Sequence, residues 1–288
     1  MANNEHCNTL DTLVAECGRM QEIQRVKCLI TNLRRQLKDK IISDRNLDDR
    51  QCPPEIVALF LMAEKLAQFR DEVSRELESY LRNDSSTNIN GSAETDSQIE
   101  NKLWTLFVYQ ESVDGSLSND NESMLSAWFN ILACRQSHVV CLMLWLFPHF
   151  ATKERMDVVE RIVADEKNAT LLLWDKMLFW LACMRDSDYG KEKNIGSQIN
   201  GLLSDSGAFA VKKEMRVKGD IRSCALRLLV LISYAKLNDL DDEMVWQKVR
   251  CMVEYLTEAC DVDEPYVGWV YYSLCEFVQM SNDPSVTA

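Results

Sequence analysis

LLLWDKMLFWLACM at residues 171 to 184 and CALRLLVLISYA at residues 224 to 235 decide the fold of this chain. Both runs are apolar on nearly every side, and a helix without a polar face has to sit inside a core, covered all round by other elements. The second run passes into KLNDLDDE, where charge returns. With nine glycines and five prolines in 288 residues, turn formers are scarce. Long helices are favoured over sheets on that composition. The fold class read from these features is all-α, an orthogonal helical bundle with an N-terminal amphipathic helix and a flexible polar linker.

Outward from the two runs, the covering elements carry helical spacing. Leu10, Val14, Cys17, Met20, Ile23, Val26, Ile30, Leu33, Leu37 and Ile41 recur every three or four residues, which gives one helix a continuous apolar stripe. RNLDDRQCPP interrupts it, and Pro54 stands at the favoured first-turn position of a second helix reaching about Leu81. NDSSTNINGSAETDS, residues 83 to 97, holds a single Ile among turn formers and acids, too little apolar surface to offset the entropy of ordering. A short helix is expected from Ile99 to Tyr109, and further helices near 122–136, 138–147, 153–164, 169–186, 191–204, 220–237, 241–260 and 265–280. No period of 20 to 50 residues repeats, which disfavours a regular solenoid. The chain is thereby divided into an N-terminal amphipathic helical arm (1–53), a helix joining the bundle (54–82), a flexible linker (83–98) and a helical bundle domain (99–288).

The net charge of −13 argues against a nucleic-acid backbone as the main ligand, because such affinity comes chiefly from Lys and Arg neutralising phosphates, and no direct nucleic-acid contact is expected. Charge is uneven, with Arg25, Lys27, Arg34, Arg35, Lys38, Lys40 and Arg45 against Asp39 and Asp44 in one stretch. A solvated helix face is the simpler account of that run, a docking surface the sharper one. Eleven cysteines without a CxxC pair read as reduced thiols in an intracellular protein. The polar opening MANNEHCNTLD is no secretory leader, and VVCLMLWLFPHF at 139 to 150 is too short to span a bilayer. No membrane association is expected.

Chemistry-bearing constellations are few. Cys134, His138 and Cys141 stand at i, i+4 and i+7, a face that could present three zinc ligands. Their neighbours are Val139, Val140, Leu142 and Leu144, which favours core packing over metal. A cysteine nucleophile would need His6, His138 or His149 as its base, and none stands in a signature context. Gly190, Gly196, Gly201 and Gly207 lack the spacing of a phosphate loop and are read as loop and helix-end markers. Asp175, Lys176 and Arg227 interrupt the apolar runs and must reach the surface, pair inside or meet another protein. No cofactor, metal or catalytic residue is assigned.

LAQF at 66 to 69, KLWTLF at 102 to 107 and LFPHFATKERMDVVERIV at 146 to 163 are followed by TLLLWDKMLFWLACM at 170 to 184 and CALRLLVLISYAKLNDLDDE at 224 to 243. In this order and spacing the chain resembles the Gemin-two family of SMN-interacting proteins. The resemblance implies a non-enzymatic scaffold of the SMN complex, in cytoplasm and nucleus, that binds the N-terminal helix of SMN. It also implies contact with Sm proteins and assistance in assembling Sm cores on spliceosomal snRNA. Residues 1 to 53 depart from the family pattern, reading as a basic amphipathic helix where an extended, proline-containing arm is expected.

Holding a partner helix requires an apolar groove with a polar rim. Phe69, Val73, Leu77 and Tyr80 form one candidate wall, rimmed by Arg70, Glu72, Arg75 and Glu76. Trp246, Val249, Tyr255, Trp269 and Tyr272 form the candidate opposite wall. The alternatives are an unrelated all-α adaptor that binds a partner through its N-terminal helix, and an enzyme with a Cys and a His brought together only by folding.

Overall fold

The computed structural model describes residues 3–43, 52–64, 94–112, 119–165, 173–185, 187–201, 220–238, 243–259 and 266–281, and every regular element among them is helical. In chain order these are α1 (Asn3–Ser43), α2 (Pro54–Ala63), α3 (Asp96–Ser112), α4 (Asn119–Cys134), α5 (Val139–Leu146) and a 3₁₀ turn at Pro148–Phe150. They continue with α6 (Lys153–Ala164), α7 (Leu173–Arg185), α8 (Ser187–Glu192), α9 (Ile195–Gly201), α10 (Asp220–Asn238), α11 (Glu243–Ala259) and α12 (Val267–Ser281). The protein is all-α, as the two apolar runs require.

Six helices close into a ring. α2 packs on α3, α3 on α5, α5 on α7, α7 on α10, α10 on α12, and α12 again on α2. The two deciding runs are α7 and α10: Met177 to Met184 is buried without a break, and so is Leu228 to Ile232. At one side of the ring three indoles from three helices meet. Trp145 stacks on Trp269 with centroids 5.3 Å apart, and Trp104 meets both edge-on at 6.3 and 6.0 Å. Each indole removes roughly 200 Å² from water, a gross gain of about 5 kcal/mol apiece before entropy is counted. α1 lies outside the ring on α12 and α11, and α11 lies on α10.

Local chemistry sets the element ends. Pro53 is extended (φ −61, ψ 144) and Pro54 follows in the first helical turn, where its missing N–H costs nothing. The expected single helix from Pro54 to about Leu81 instead ends at Ala63. Glu64 leaves helical geometry (φ −89, ψ 89), and its carboxylate accepts from Tyr271 Oη on α12 and Arg34 Nη2 on α1. Residues 65 to 93 lie outside the described residues, and with them most of the expected linker.

The expected linker, 83–98, overlaps the first turn of α3, which begins at Asp96. Thr95 N donates to Gln98 Oε1 at 2.8 Å while Gln98 N donates to Thr95 Oγ1 at 3.3 Å, a reciprocal capping box. The expected helix at 191–204 is likewise two, α8 and α9, separated at Asn194 with φ 53. Asparagine tolerates this left-handed conformation better than most residues. Gly190 marks no loop: it is inside α8, where a Cβ would lie 3.0 Å from the Cys183 carbonyl oxygen. Gly196 and Gly201 fall in α9.

The N-terminal arm is not free over its described side chains. Val26, Leu33 and Leu37 are buried, and Ile23, Leu29, Ile30 and Ile41 pack half-buried against the core. All of these except Leu29 belong to the sequence stripe.

Candidate helix-accepting groove

α7, α10 and α12, with Trp145 of α5, line an open groove of about 350 Å³. Its floor is apolar: Trp145, Leu181, Leu229 and Ile232 are each at most 5% exposed. Each wall repeats at helical spacing, with Leu181, Met184 and Arg185 on α7, Leu229, Ile232, Ser233, Lys236 and Leu237 on α10, and Tyr272 and Glu276 on α12. Of the polar residues in this lining, Arg185 and Lys236 are exposed, and Ser233 and Glu276 are half-buried.

The rim is charged and ordered. The Arg185 guanidinium lies 5.4 Å over the Trp145 ring and donates to the Trp145 carbonyl oxygen. It also hydrogen-bonds the Tyr272 hydroxyl. Lys236 Nζ meets Glu276 Oε2 at 3.2 Å, with the lysine the more exposed partner. Burial, reinforced by the Glu276 carboxylate, pushes the Tyr272 phenol up to about 12 against the opposing pull of Arg185. The hydroxyl therefore stays protonated at neutral pH. An apolar floor with fixed donors at its edge can seat aliphatic or aromatic side chains and fix their register by a few polar contacts.

The sequence-derived walls are redistributed by the fold. Phe69, Val73, Leu77 and Tyr80 lie outside the described residues. Trp246 and Tyr255 are half-buried on α11, while Val249, at 1% exposure, belongs to the core. Trp269 is interior as well, stacked on Trp145 and donating its indole N–H to Glu55. Of the five, only Tyr272 borders the groove. The expected opposite wall is thus corrected: α12 turns Trp269 inward and Tyr272 to the groove, and a single surface cannot hold all five. Arg185, Ser233, Lys236 and Glu276 were missed, although Ser233 and Lys236 stand at i+4 and i+7 from Leu229 as the polar interruption of one α10 face.

A second polar cluster lies where α2, α3, α5, α7, α10 and α12 begin. Arg222 sits 4.3 Å over the Trp174 ring and 5.6 Å over those of Tyr266 and Trp269, with its Nη2 3.5 Å from Glu55. Glu100, facing Arg222, Glu55 and His138, is raised above the ordinary carboxylate range chiefly by burial. Carboxylates near several helix N-termini meet the positive ends of the dipoles. Asp175, only 1% exposed in the first turn of α7, fits that account of a buried acid.

The suggested ligand triplet does not converge on a metal. Cys134 is exposed and Cys141 buried, while His138 meets the Trp174 ring edge-on at 5.7 Å. Among the described residues no three His, Cys, Asp or Glu side chains gather to hold an ion. Among them, too, no helix is long and apolar enough to cross a membrane.

Compared with protein-family models, with curated proteins and with solved structures, the chain matches none.

Proposed function

We propose that this chain is a non-enzymatic scaffold resembling Gemin-two, which seats the N-terminal helix of SMN in the α7–α10–α12 groove. Through that partner it assists assembly of Sm cores on spliceosomal snRNA in cytoplasm and nucleus, with Sm proteins as further contacts. The observation that carries the reading is the groove itself, an apolar floor under an ordered rim of Arg185, Tyr272, Lys236 and Glu276. Aliphatic anchors of an amphipathic helix, one turn apart, suit such a floor.

The test is fluorescence anisotropy with the purified full chain and a labelled peptide of the N-terminal helix of SMN. Binding tighter than about 10 μM, weakened at least about tenfold by the groove-filling substitution Ser233→Phe, supports the reading. A peptide that stays unbound at that concentration ends it. Unchanged affinity in a folded Ser233→Phe variant moves the site elsewhere.

A further inference from the structure

α1 occupies the kind of site that the sequence assigned to a foreign helix. Its buried residues Val26, Leu33 and Leu37 follow one face, and its main partners are α12 and α11. One polar lock accompanies this apolar seam. Arg34 Nη2 donates to Glu64 Oε2, and Tyr271 Oη donates to the other oxygen of the same carboxylate. The Glu64 side chain is 7% exposed and Arg34 is 42% exposed, so the acid belongs to the body and the base reaches it from outside. A desolvated carboxylate needs a cationic or hydrogen-bonding partner, and its burial beneath α1 makes the presence of that helix part of its stabilisation.

Charge points the same way. α1 contributes Arg25, Lys27, Arg34, Arg35, Lys38 and Lys40 from its second half, in a chain whose net charge is −13. Of these, Arg34 meets a carboxylate of the body, Glu64, while at the edge of the seam the acid Glu22 of α1 faces Arg250 and Glu254 of α11. An amphipathic helix with an arginine at that position is the complementary ligand for the Glu64 carboxylate, and α1 is one already seated. α1 belongs to none of the six contacts that close the ring.

We propose that the face built by α11, α12 and Glu64 is a second helix-docking site, held closed by α1, whose external ligand is a basic amphipathic helix of the α1 pattern. The pattern is an aliphatic residue, another seven positions on, an arginine directly after it and a third aliphatic four positions from the second, as in Val26, Leu33, Arg34 and Leu37. This site uses Tyr271 of α12 where the groove uses Tyr272, and the proposal does not rest on what that groove binds. The incoming helix displaces α1, and its arginine takes over the Glu64 carboxylate.

The test uses the full chain with Arg34→Glu, which sets two carboxylates against each other at the lock, and a labelled peptide copying residues 21 to 43. Hydrogen exchange should speed up at least about tenfold along α1 while α7 and α10 keep their protection, the signature of local release. The peptide should bind this variant at least about tenfold more tightly than the unaltered chain, because the cis competitor is weakened. Placing Arg34→Glu in the peptide as well should remove that binding. The milder Leu37→Ala in the full chain should reproduce the release in part. Exchange rising equally in α7 and α10 would make α1 an inseparable part of the core and overturn the proposal. So would a released α1 with no peptide binding, or an α1 whose exchange does not change.

Discussion

Gly268, near the start of α12, tests how the ring is closed. A Cβ there would stand 3.2 Å from Ile56 Cα and 3.3 and 3.4 Å from Leu59 Cδ1 and Cβ, all on α2. The nearest of these is backbone, which cannot swing aside. Gly268→Ala gains about 1 kcal/mol of helix propensity and meets an overpacking cost of about 1–3 kcal/mol, so a net loss of about 1 kcal/mol is expected. Gly268→Val keeps that clash, adds two γ carbons against Ile56, and forfeits part of the propensity gain through its stiff χ1. A loss of about 3 kcal/mol follows. The next residue, Trp269, donates to Glu55 in the first turn of α2, so prying the helices apart also breaks that bond. Urea unfolding followed by circular dichroism measures both variants, with a lowered midpoint at unchanged slope as the expected form. A valine variant as stable as the original chain would show that α2 and α12 are not in the close contact described, and the ring argument would fall with it.

Gln136 holds φ 53 at the end of α4, where Ser137 N donates to Leu132 O and Gln136 N to Ala133 O. This is a helix end that favours glycine, and Gln136→Gly should raise stability by about 0.5–1 kcal/mol in the same urea assay. Thiol labelling at pH 8 should modify the exposed Cys28, Cys134 and Cys251 quickly and Cys275 slowly, since burial pushes its thiol up to about 12. Mass spectrometry of the labelled peptides checks the order, and a fast Cys275 would contradict its burial. Glu100 is raised mainly by burial and secondarily by Glu55, against the pull of Arg222 and His138. A raised folded-state value means that the native state binds the proton more readily than the unfolded chain. This group therefore opposes folding above its folded-state value, and the opposition fades as pH falls towards the unfolded value near 4.5. Glu100→Gln should accordingly stabilise the protein at pH 7 and do progressively less as the pH is lowered through that window, read from thermal midpoints across pH.

Helix type was legible from the residues themselves. Runs apolar on nearly all sides could only be central, and α7 and α10 are members of the closed ring because their few polar positions leave no broad face to point at water. The stripe through Ile23, Val26, Leu33 and Leu37 likewise announced a covered face on α1. Capping chemistry is legible too: the Thr95 and Gln98 pair that starts α3 is plain in the sequence, inside a stretch whose polarity suggests a linker. Which helix covers which was not legible. Spacing along the chain records that a side chain will be buried, and it is silent on whether the neighbour that buries it comes from the same polypeptide. Val249 and Trp269 therefore looked like anchors for a foreign helix and are core residues, while α1 looked like an arm and is docked. The groove belongs to the same class of fact. Leu181, Leu229 and Tyr272 become one surface only because three helices distant in sequence are brought together beside Trp145, and that arrangement is set by long-range packing.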